Sequence, residues 1–99
     1  MIPGAAAGDP AVATAYGAVV LVHDEVRWHA ATRTRAELFA ALAAYVAEQA
    51  PFQLWPLEAA RVRRWLHRGD REQAVRYYFA TVGRRWDREQ LHLVLPGGR

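Results

Sequence analysis

The sequence predicts an α+β domain: a small three-stranded antiparallel sheet, in β-β-α-α-α-β order, with helices packed on one face. Three observations carry this. A β-branched run and a period-two alternation come first, three stretches with apolar residues at helical spacing follow, and leucines alternate near the end.

Residues 1 to 15, MIPGAAAGDPAVATA, are alanine, glycine and proline with little to bury, and read as a flexible arm. Residues 16 to 96 then form one compact domain, and residues 97 to 99 a tail. Val19 to Val22 is the first strand. Val26, Trp28 and Ala30 alternate with Arg27 and His29, which predicts a second strand with those three residues on its apolar face. The chain turns near His23-Asp24-Glu25, without the glycine or asparagine that would name the turn type.

Thr34 and Glu37 stand at capping-box spacing, opening a helix whose core stripe is Leu38, Phe39, Leu42, Tyr45 and Val46. Ala40, Ala44 and Ala47 give it a second, smooth side, and Pro51 is expected to close it. The linker PFQLWP is unusually apolar, and Pro56 suits the first turn of the next helix, Leu57 to Arg68. That helix turns Ala59, Val62 and Leu66 inward with Trp65 on the shoulder. Gly69 fits a left-handed helix end, and Asp70 with Gln73 restarts a helix. There Ala74, Val75, Tyr78, Phe79 and Val82 face the core and Gly83 is the expected stop. Leu91, Leu93 and Leu95 predict the last strand, although Asp87 to Gln90 could instead cap a short helix.

Composition removes several chemistries. Without cysteine there are no disulfides, thiolate zinc sites or cysteine nucleophiles, and without serine no serine nucleophile. No Lys or Arg precedes Arg27 and the apolar runs are short, so the expected location is cytoplasmic, with no membrane contact. All thirteen basic residues are arginine, in a chain that also lacks lysine, serine and asparagine and holds twenty alanines. That pattern fits codon bias in a GC-rich genome more simply than selection for phosphate contact. Position is more informative: residues 61 to 89 carry nine Arg against four acids, +5, and the remainder four against six, −2.

Arg61, Arg64 and Arg68 share one side of their helix, and two helices meeting at Gly69 outline a helix-turn-helix. The short turn, the bulk of Trp65 and the mostly core-facing second helix oppose base reading, and Glu72 near its start would repel phosphate. A solvated basic side is the simpler account. His23, Asp24, Glu25 and His29 lack convergent geometry for zinc, and His67 and His92 add no ligand spacing, so no metal and no cofactor is expected. Asp87 and Glu89, alternating with Arg88, read as surface charges, and no catalytic residue or small-molecule site is evident.

The sequence therefore points to a small non-enzymatic binding or accessory module that acts through protein contacts, self-association into a homodimer included. Phe52, Leu54 and Trp55 are its expected apolar anchor, with Arg61, Arg64 and Arg68 as a basic rim. The alternative is a small nucleic-acid-binding protein using the arginine-rich helix pair 61–88 for non-specific phosphate contacts.

Overall fold

Valine-rich β1 (Tyr16–Val22) and alternating β2 (Glu25–Thr32) form a hairpin closed by His23 and Asp24 alone. Both turn residues have positive φ, 53° and 67°, the backbone of a two-residue type I′ turn made without glycine. The computed structural model describes residues 16–86 and 89–96, so the expected arm 1–15, Asp87, Arg88 and the tail 97–99 lie outside the described residues. Three helices follow, α1 (Arg35–Gln53), α2 (Pro56–Arg68) and α3 (Arg71–Trp86), and then β3 (Glu89–Val94). The predicted class and element order are both present. Strand order is β2-β1-β3, antiparallel throughout, so the first strand becomes the centre of the sheet.

One face of this sheet is covered. Ala18 and Val20 of β1 are buried, flanked by half-buried Trp28 and Ala30 on β2 and Leu91 and Leu93 on β3. α1 lies over β1 and β2, α3 over β3, and α2 packs on both helices without touching a strand. The predicted helical stripes are the core: Leu38, Phe39, Leu42, Tyr45 and Val46 of α1 meet Ala74, Val75, Tyr78, Phe79 and Val82 of α3. Tyr45 stacks on Phe79 with ring centroids 6.2 Å apart and meets Trp28 at 5.5 Å.

Three sequence expectations need correction. Val26 does not share the face of Trp28 and Ala30. A bulge between Val20 and Leu21 pairs Leu21 with Val26, which moves Val26 to the open face, 61% exposed, and leaves Arg27 without a partner on β1. Pro51 does not close α1, which runs on to Gln53. So near a helix end the missing N–H costs a single bond, and Leu54 N–H still reaches Ala50 O at 3.0 Å. Gly83 does not stop α3, because the next turn is anchored through Arg85 (below).

Two of the expected helix-end signals are in place. Thr34 Oγ1 accepts from Glu37 N–H at 3.1 Å while Glu37 Oε1 accepts from Thr34 N–H at 3.2 Å. Gly69, at φ 83°, ends α2 in a Schellman arrangement, its N–H on Leu66 O and Asp70 N–H on Trp65 O.

Candidate functional site

The α1–α2 corner is where the apolar linker meets solvent. Because α1 continues through Pro51, Leu54 falls at its C-cap and turns inward, 6% exposed and part of the core. It is therefore not available as a surface anchor. Its neighbours go the other way: Phe52 is 84% exposed, Trp55 61% and Leu57, which sequence reasoning passed over, 85%. Leu57 stands four residues before Arg61, on the same helical side as Arg61, Arg64 and Arg68, and that spacing was the available signal.

Trp55 is held rather than loose. Glu58, three residues into α2, accepts from Trp55 N–H at 3.0 Å, so its carboxylate caps the helix. The same carboxylate takes Arg85 of α3 bidentately, at 2.8 and 2.6 Å. Arg85 in turn lies 3.9 Å over the Trp55 ring, a cation–π contact. Hydrogen bonding to Arg85, more than anything else, holds the Glu58 carboxyl at about 2, well below the usual carboxylate range. The ring thus has one side on a guanidinium and much of the rest open.

Beside it runs a cleft of about 490 Å³ lined by Trp55, Pro56, Leu57, Glu58, Arg61 and Tyr77. Arg61 sits 5.6 Å over the Tyr77 ring, and Tyr77 meets Trp65 edge-on at 5.2 Å. Arg61, Arg64 and Arg68 are exposed and enter no ion pair among the described residues. On α3 the position is different. Glu72 binds Arg35 at 2.8 Å and Arg76 at 2.7 Å, so these two arginines are already engaged.

The second polar cluster is buried, contrary to the surface charge expected at Glu89. Glu89 is not a surface charge but 6% exposed. Its Oε1 accepts from Tyr78 Oη at 2.8 Å and from Tyr45 Oη at 3.1 Å. One carboxylate thereby ties α1, α3 and β3 together. Burial first, and Glu89 second, push both phenols well above the ordinary tyrosine range. The period of two did hold the clue, since Glu89 continues the Leu91, Leu93, Leu95 series onto the covered face.

The open face of the sheet carries Val19 between His29 on β2 and His92 on β3, with Leu21, Val26 and Val94 around them. His23 is at the hairpin turn, and among the described residues no three ligating side chains converge on a metal. No described helix is long and apolar enough to cross a membrane. No protein family, curated protein or solved structure matches the chain.

Proposed function

We propose that this domain is a non-enzymatic binding module that acts through protein–protein contacts, with the α1–α2 corner as its docking surface. The observation that carries this reading is the exposure of Phe52, Trp55 and Leu57 within six residues, next to an apolar-walled cleft. An anchored aromatic ring beside a cleft is the usual centre of a binding hot spot. The adjoining arginine stripe sets the partner's chemistry: a segment of another chain with apolar side chains flanked by carboxylates. Two copies meeting here would set Arg61, Arg64 and Arg68 of each against the other, which favours an acidic partner over a homodimer.

The test uses a synthetic amphipathic peptide with leucines four residues apart among aspartates, titrated while the protein's NMR spectrum is followed. The Trp55 indole and Leu57 methyl signals should shift saturably, and Trp55→Ala should abolish binding with the fold intact. Leu54→Ala, by contrast, should destabilise by about 2–5 kcal/mol as a core truncation. Saturable shifts elsewhere, or none, would discard the corner as a docking site.

A second reading has one specific observation behind it, the exposed row Arg61, Arg64 and Arg68, which enters no ion pair among the described residues. Non-specific nucleic-acid binding through phosphates predicts a steep fall of affinity for a random duplex as salt rises, and loss on Arg61→Glu with Arg64→Glu. Indifference to DNA at low salt would remove it.

A further inference from the structure

At the turn end of the sheet lies a second cleft, about 200 Å³, lined by Val22, His23, Arg27, Gln53 and Glu89. Its walls come from five places in the chain: the end of β1, the turn, the bulge of β2, the end of α1 and the start of β3. Two of the wall residues carry opposite charges. Glu89 is almost wholly buried and fixed by two phenolic donors on one oxygen. Arg27 is exposed, and its charge reaches the same two phenols, opposing the rise that burial imposes. Yet Arg27 and Glu89 form no ion pair with each other.

Unlike charges that face one small cleft without closing on each other leave room for a molecule that bridges them. A ligand with a single charge answers one wall and leaves the other as it was. A zwitterion answers both: a guanidinium fork takes a carboxylate bidentately, and a buried carboxylate gains most from an ammonium that arrives with its own counter-charge attached. Size limits the choice further. At about 200 Å³ the cleft suits a molecule of the size of a small α-amino acid.

We propose that this cleft binds a small zwitterion of the α-amino acid class, its carboxylate on Arg27 and its ammonium on Glu89. The bulge is what creates the site, because an unbroken ladder would pair Arg27 with Leu21 on the open face. His23 lines the cleft from the turn, in a left-handed conformation that most residues avoid. This cleft shares no wall residue with the cleft beside Trp55, although Gln53 adjoins Phe52 of the α1–α2 corner.

The experiment is an amide-resolved NMR titration of the full chain with glycine and L-alanine, run beside acetate and methylammonium at equal concentrations. Saturable shifts at His23, Arg27, Gln53 and Glu89 are expected for the amino acids, with at least about tenfold weaker responses to the single-charge ions. Arg27→Gln, a change at an exposed position, should weaken amino-acid binding at least about tenfold with the spectrum otherwise kept. Glu89→Gln should do the same and, if it unfolds, Arg27→Gln alone decides. No saturable change into the tens of millimolar, equal responses to acetate, or full binding by Arg27→Gln would each overturn the proposal.

Discussion

Tyr78→Phe removes one hydroxyl and almost no volume, which makes it a clean probe of the buried carboxylate. The ring is completely buried and its 2.8 Å bond to Glu89 is the shorter of the two. A hydrogen bond to a charged group contributes about 1.5–3 kcal/mol, so Tyr78→Phe should cost about 2 kcal/mol and Tyr45→Phe, at 3.1 Å, nearer the lower figure. Against a total of about 5–15 kcal/mol for a domain this size, each is large, lowering Tm by roughly 4–8 °C per kcal/mol. The double variant leaves Glu89 buried without either donor, and should exceed the sum of the singles by about 1 kcal/mol or more. Urea denaturation followed by tryptophan fluorescence gives all four corners of the cycle. Single losses under about 0.5 kcal/mol, or a double variant additive within that margin, would refute the account of Glu89 as the tie between α1, α3 and β3. The same phenols set the alkaline limit. Folding raises their pKa, so their contribution is whole below about pH 10 and is lost as pH rises beyond it, a decline the two Phe variants should flatten.

Thr81, 2% exposed on α3, has the one buried side-chain oxygen without a hydrogen bond among the described residues, so Thr81→Val should raise stability by about 1 kcal/mol in the same denaturation assay. Asp24→Gly, at φ 67°, relieves a side chain in the left-handed region and should gain up to about 1 kcal/mol, read as slower amide exchange in the hairpin. Glu58 is depressed on folding to about 2, so its contribution is present above about pH 4.5 and disappears as pH falls toward 2. Glu58→Gln should cost stability at neutral pH and flatten that acid slope, which a pH series of Tm values checks.

The fold was legible because its signals are local and agree. The Thr34–Glu37 box, Gly69 and the stripes of α1 and α3 each required only short-range periodicity, and each is where it was expected. What escaped depends on one-residue shifts. The bulge at Val20/Leu21 has no residue signature in HDEVRWHA, so strict alternation puts Val26 on a face it does not occupy. Leu54 and Trp55 are adjacent and differ only in which side of the corner they take, a matter settled by α1 running past Pro51. Glu89 was judged by its charged neighbours, when its register with Leu91 was the better guide. The Glu58–Arg85 pair spans twenty-seven residues and is tertiary information, which no local pattern holds.

Placing the first strand at the centre of the sheet also sets an order of assembly. Gly17 pairs with Val94, seventy-seven positions later (94 − 17), whereas the hairpin and the three helices close over short separations. A chain emerging from the ribosome can form β1 with β2 and gather its helices while one side of β1 still displays unpaired N–H and C=O groups. The phenols of Tyr45 and Tyr78 wait equally long, because their acceptor heads the final strand. Cooperative closure is thereby deferred until β3 has emerged, and that delay is the interval in which a stray strand competes for the same edge.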